Sequence, residues 1–168
     1  MPVLRILAVV FCCSVFLAGT VPVRASDASE QGPGNAAHIL LTQEGTTRKL
    51  AIDEIERRLP TVEIEGRASP DEPVTAFQGV LLSDLVRMIG AGEAEILVVR
   101  ASDGYAADIP RKDWGSWPIV FATRADGAPL TLRKRGPARI IYPVDRYPEL
   151  AGRTYIDRSV WLITEIEW

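Results

Sequence analysis

Phe77-Gln78-Gly79-Val80-Leu81-Leu82-Ser83-Asp84-Leu85-Val86-Arg87-Met88-Ile89-Gly90 carries the clearest periodicity in the chain. Leu82, Leu85, Val86 and Ile89 recur at i, i+3, i+4 and i+7, a spacing that puts four apolar side chains on one face of a helix. Gly90 follows at the position where a left-handed residue ends a helix without steric cost. The stretch predicts a helix that begins near Leu81, stops at Gly90 and buries one face.

Working outward, short strands surround this helix. Downstream, Ile96 to Arg100 is a continuous apolar run, and Asp103-Gly104 turns it back into Tyr105 to Ile109, which predicts a hairpin. Ile119 to Thr123, Ala138 to Tyr142 and Val160 to Ile166 complete the strands on that side, with Asp126-Gly127 as another turn. Upstream, Thr61 to Glu65 alternates Val62 and Ile64 with Glu63 and Glu65, the period of a half-buried strand. A polar loop from Gly66 to Pro73 separates it from the helix. Ala37 to Leu41 and Lys49 to Ile52 read as two more strands. A short helix from Asp53 to Arg58 follows them, stopped by Pro60 and with Asp53 placed to cap it. Many strands and two short helices, without regular β-α alternation, define an α+β fold with mixed sheets.

The N-terminus has a different character. Arg5 precedes an apolar run from Ile6 to Leu17, and small residues then lead to Val23-Arg24-Ala25. Charge, apolar run and small-residue exit together predict a signal peptide over residues 1–25, cleaved after Ala25. The run is too short for the roughly 20 residues of a membrane-spanning helix. Residues 26–36 read as a flexible leader and 37–168 as one domain of periplasmic location, with no insertion into the membrane. The chain of 168 residues has a net charge of −3, and losing Arg5 and Arg24 makes it more acidic, which gives nucleic acid no basic stripe to bind. Both cysteines, Cys12 and Cys13, lie in the signal and leave with it. The mature domain then has no disulfide, no thiolate nucleophile and no cysteine ligand for a metal. His38 is the single histidine and reads as a surface residue at a strand end. Zinc sites and Ser-His-Asp catalysis are left almost without material.

The order of motifs resembles a known family. Phe77-Gln78-Gly79-Val80-Leu81-Leu82 with Asp84-Leu85 looks like the F-x-G-V-x-L-x-D-L helix start of the sulfite-oxidase-type molybdopterin-binding domain. Ala101-Ser102-Asp103-Gly104-Tyr105 and Ile109-Pro110 resemble its A-x-D-G-Y…I-P hairpin. Phe121-Ala122, Asp126-Gly127, Pro129-Leu130 and Gly136-Pro137-Ala138-Arg139 follow in the family's order, and Val160 to Ile166 is similar to its closing strand. The resemblance implies a sulfite-oxidase-like molybdopterin-binding-domain fold. Enzymes of that family hold molybdenum through a cysteine thiolate, a ligand that oxygen donors do not replace without changing the site. The chain lacks that cysteine in its predicted domain. It is thereby similar to the cysteine-less, PruR-like branch of periplasmic regulators. Such a resemblance implies a non-catalytic protein with no molybdenum cofactor that binds a free pterin. It would report that pterin to the periplasmic region of an inner-membrane enzyme of cyclic-di-GMP metabolism. A molybdopterin-dependent oxidoreductase and a ligand-free periplasmic adaptor are the alternatives.

A pterin is a flat bicyclic ring with a donor edge and a carbonyl. It calls for aromatic or guanidinium planes to stack on and a carboxylate to accept from its amino edge. Two stretches hold such groups. In the first, Tyr105 is followed by Asp113, Trp114 and Trp117; in the second, Arg139 is followed by Tyr142 and Asp145. Asp113 and Asp145 compete for the carboxylate role, and either also suits a cap or turn. Trp114 and Trp117, on what reads as an extended loop around Gly115-Ser116, divide between packing and lining a pocket. Trp117 is the better packed candidate, because Pro118-Ile119-Val120 leads into a strand. Arg139 stands in an otherwise apolar strand, so it must meet an acid or a ligand there. Trp161 and Trp168 read as packing residues. The expected pocket lies between the Trp114 loop and the strand of Arg139.

Overall fold

The computed structural model describes residues 37–67 and 73–168. The expected signal peptide, its two cysteines and the leader lie outside the described residues, as does the middle of the loop from Gly66 to Pro73.

Two five-stranded sheets are built around a shared core. β1 (His38–Gln43) and β2 (Thr46–Ala51) form a hairpin, and α1 (Ile52–Arg58) follows directly with Ile52 and Ile55 buried. Asp53 does not cap α1. The helix starts from extended Ala51, without a side-chain cap, and Asp53 lies in the first turn bonded to Arg57 at 2.5 Å. That position still suits a carboxylate, because the N-terminal end of a helix carries partial positive charge. β3 (Thr61–Gly66) keeps the alternation read from its sequence, with Val62 and Ile64 packed inward.

β3 pairs antiparallel with β4 (Thr75–Leu81), which runs straight into α2 (Leu82–Ile89). The quoted stretch is thus half strand and half helix. Leu82, Leu85, Val86 and Ile89 are all buried, and Gly90 ends α2 at φ 89°, donating to the carbonyls of Arg87 and Val86. Gly79 in β4 is required by packing: a Cβ there would stand 2.1 Å from the carbonyl oxygen of Phe121 on the neighbouring strand.

β5 (Ile96–Ala101) and β6 (Ala106–Pro110) form the expected hairpin, turned at Gly104 with φ 88°. The segment after Pro110 corrects the sequence reading: it is not an extended loop but α3 (Arg111–Ser116). β7 (Val120–Ala125), β8 (Ala128–Pro129) and β9 (Arg139–Ile141) extend the second sheet, with Asp126 and Gly127 both at positive φ in the turn. Short 3-10 turns at Leu132–Lys134 and Pro148–Ala151 lead to α4 (Arg153–Arg158) and the closing strand β10 (Ile163–Glu167).

The first sheet runs β2-β1-β10-β5-β6, with β10 parallel to β1 and antiparallel to β5. The second runs β3-β4-β7-β8, and β9 pairs with Val120 to Ala122 of β7 on the same edge as β8, which pairs with Arg124 and Ala125. The α2 face packs with Ile39, Leu97, Val99 and Ile166 of the first sheet and with Phe121 and Ile140 of the second. Fully burying each such side chain contributes about 1.5–3 kcal/mol. The fold is α+β with mixed sheets and short helices, as the sequence implied.

Candidate functional site

A cleft of about 540 Å³ opens between the strand-end loops of the two sheets. The hairpin turn after β5 supplies Asp103 and Tyr105. The segment after β9 supplies Tyr142, Val144 and Asp145. α4 and the segment before β10 supply Ile156, Asp157, Ser159 and Trp161. Cavities of this size accommodate a small organic ligand, and an apolar wall with a few polar groups is the usual composition.

Three residues expected from the sequence line this cleft: Tyr105, Tyr142 and Asp145. Tyr105 is 45 % exposed. Its hydroxyl donates to the Asp157 carbonyl at 2.5 Å, and its backbone N–H donates to the Asp103 carboxylate at 3.0 Å. Asp145 is exposed and makes no hydrogen bond or ion pair among the described residues, so its carboxylate is available to a ligand. Tyr142 is buried, and its hydroxyl donates to Asp113 at 2.8 Å. Burial and that bond to a carboxylate push its phenol well above the ordinary value, so it stays a neutral donor.

The other four stand elsewhere. Asp113 is only 3 % exposed and does not line the cleft; its carboxylate is engaged by Tyr142 and by Arg158 at 3.0 Å. Trp114 is 7 % exposed and belongs to the main core, while Trp117 is partly buried with its ring 5.1 Å from that of Tyr147. The division expected between the two tryptophans does not hold: Trp117 packs as expected, but Trp114 packs too, because helical α3 turns it inward where an extended loop would not, and neither lines the cleft. Arg139 is 5 % exposed, with its guanidinium 5.6 Å from the Phe77 ring centroid and 6.0 Å from that of Trp161. It borders a second, smaller hollow of about 280 Å³ beside Phe77 and Leu130. The pocket expected between Trp114 and Arg139 is not what the structure presents.

Trp161 is the residue the sequence reading misplaced. It is half-buried on the cleft wall, with the Arg135 guanidinium 4.4 Å from its ring centroid. Trp161 lies before β10, and Leu162 turns at φ 54°, so the strand period does not reach Trp161 and no local signal places it on the cleft.

The fold and the cleft define an α+β domain with a ligand-sized opening at its strand ends. No protein-family model matches the chain, and no curated protein matches it in sequence. Among solved structures it is similar to the sulfane dehydrogenase SoxCD from Paracoccus pantotrophus, with a TM-score of 0.55 at 14% identity. The likeness covers 77% of this chain and 37% of that one, so the chain spans little more than a third of its neighbour's length. At that identity the two share a fold. Among the described residues there is no cysteine, and no group of three or more His, Cys, Asp or Glu side chains is placed to hold a metal ion. The described residues therefore do not fit a molybdenum cofactor bound through sulfur.

Proposed function

We propose that this chain is a non-catalytic pterin-binding protein of the periplasm, one that reports a free pterin to a membrane-bound enzyme of cyclic-di-GMP metabolism. The observation that carries the ligand is the cleft itself: aromatic Tyr105 and Trp161 stand with the available Asp145 carboxylate around about 540 Å³. Trp161 and Tyr105 offer planes for the ring. Asp145, rather than the engaged Asp113, accepts from the amino edge. The neutral Tyr142 hydroxyl is already committed to Asp113, so Tyr142 contributes its ring wall. The sulfite-oxidase-type resemblance of the sequence and the shared fold agree with this reading, and no cysteine among the described residues offers molybdenum a thiolate.

Titration calorimetry with oxidised and reduced neopterin tests it. Wild-type protein should bind at micromolar concentration or tighter, and Asp145→Asn should bind about tenfold more weakly, the cost of one charge-assisted hydrogen bond. A wild type that binds neither form leaves the ligand-free adaptor as the better account. The same proposal puts the domain outside the cytoplasm. Mass spectrometry of the chain recovered from a periplasmic extract should give Ser26 as its first residue, and a full-length membrane-retained chain would refute it.

A further inference from the structure

The walls of the cleft are tied to one another through groups that no ligand would touch. Tyr105 and Tyr142 both line the cleft, and both hold α4. Tyr105 does so through its bond to the Asp157 carbonyl, and Tyr142 through its ring, which lies 5.5 Å from that of Tyr155 at a tilt of 52°. Behind them, buried Asp113 accepts from Tyr142 and from Arg158, the last residue of α4. The remaining charges on this helix, Arg153 and Asp157, pair with each other at 2.8 Å on its outer side.

α4 buries none of its own residues. A helix of six residues is far below the length that holds together in water. Apart from the packing of Tyr155 against the main core, its position depends on these few ties, the pattern expected of a segment that opens before the rest of the molecule. Yet Ile156 and Asp157 of α4 form part of the cleft wall.

We infer that Asp113 is a positioning residue of the cleft: through Tyr142 and Arg158 it fixes α4 as a wall, so that filling the cleft and ordering α4 are coupled. The second half of this rests on the cleft being a ligand site; the first half does not. Coupling of this kind is reciprocal, so a ligand that gains affinity from an ordered α4 must in return lower the population in which α4 is open. The exposed outer face of that helix is then the part of the surface whose order reports occupancy.

Hydrogen exchange on the full chain tests it, read over residues 153–158 with and without neopterin, for wild type, Asp113→Asn and Tyr105→Phe. Asn keeps an acceptor for Tyr142 but loses the ion pair with Arg158, and Phe keeps the ring but loses the bond to Asp157. Both variants should exchange faster at 153–158 without ligand, while amides of β5 and β10 keep their wild-type rates. Neopterin should slow exchange at 153–158 in the wild type, and Asp113→Asn should bind it on the order of tenfold more weakly. A purely structural role for Asp113 would speed exchange everywhere, and that result overturns the inference. If the wild type binds neopterin, and Asp113→Asn binds it equally with unchanged exchange at 153–158, the inference falls and the pterin reading stands. If the wild type does not bind, the pterin reading falls, and the ligand-free comparison still decides the role of Asp113. Should Asp113→Asn fail to fold, Tyr105→Phe and the milder Arg158→Lys decide by the same measurement.

Discussion

Two tryptophans, Trp114 and Trp161, show how much a single residue's role depends on the backbone under it. Trp114 looks like a loop aromatic in sequence, yet α3 turns it into the main core. Trp161 looks like a core aromatic of a closing strand, yet it faces the cleft with Arg135 over its ring. Their substitutions should therefore separate cleanly. Trp161→Ala should weaken pterin binding by roughly 5- to 150-fold, the worth of one stacking partner, with the thermal transition lowered only slightly. Trp114→Ala should cost about 3–5 kcal/mol of stability, as large-to-small changes of buried aromatics do. Calorimetry and urea denaturation on the pair check both halves, and a folded Trp161→Ala that binds as the wild type does would remove the ring from the site.

At the scale of elements, α1 is joined to the second sheet by one carboxylate. Glu56 accepts from the Thr123 hydroxyl at 2.6 Å and from Arg124 at 3.0 and 3.1 Å. Partial burial opposes its ionisation, but the bonds from Arg124 and Thr123 outweigh it and hold its carboxyl below the usual range. Its pKa is thus lower folded than unfolded, where it is about 4.3. The stability this supplies is present above that unfolded value and is lost as pH falls through the folded one. Urea melts of wild type and Glu56→Gln should differ at pH 7 and converge towards pH 3. A gap that persists in acid would mean that shape, not charge, makes the contact matter.

Element length also decided what could be read in the sequence. α2 was legible because eight residues are enough to show the 3.6-residue period and Gly90 closes it. α3 and α4 have six residues each, under two turns, and Gly115-Ser116 within α3 imitates a loop. The hairpin of β5 and β6 was legible from Asp103-Gly104, since its pairing is local. The same rule governs the site. Tyr105, Tyr142 and Asp145, which line the cleft, stand just beyond strand ends where the sequence points to loops, whereas the α4 residues of the cleft wall are hidden with their helix. Asp113 and Asp145 are equal candidates for a ligand carboxylate in the sequence, and only the fold shows that Tyr142 and Arg158 already use Asp113.

Across the whole molecule, the sheet that holds most of the core is completed by its most distant partners. Leu40 lies opposite Glu165 and Leu41 opposite Ile166, in a parallel pairing no local signal announces. β10 also separates β1 from β5, so it is the central strand of that sheet. Removing residues 160–168 should therefore leave no folded remnant: Ile39, Leu41, Leu97 and Val99 would lose Ile163 and Ile166 from the cluster they share. Circular dichroism of the shortened chain should show no cooperative thermal transition. A sharp transition near that of the full chain would show that the two flanks close without the strand between them.

This pairing also sets an order in time. A chain emerging from the ribosome delivers β1 early and β10 last, and neither half of the sheet can be joined until the final strand is free. Local hairpins form within microseconds, but closure waits until β10 has been made. Until then the β1–β2 and β5–β6 hairpins are two separate ribbons, each too small to be stable alone. A nascent chain of this design stays open, and so remains threadable, until β10 has been made.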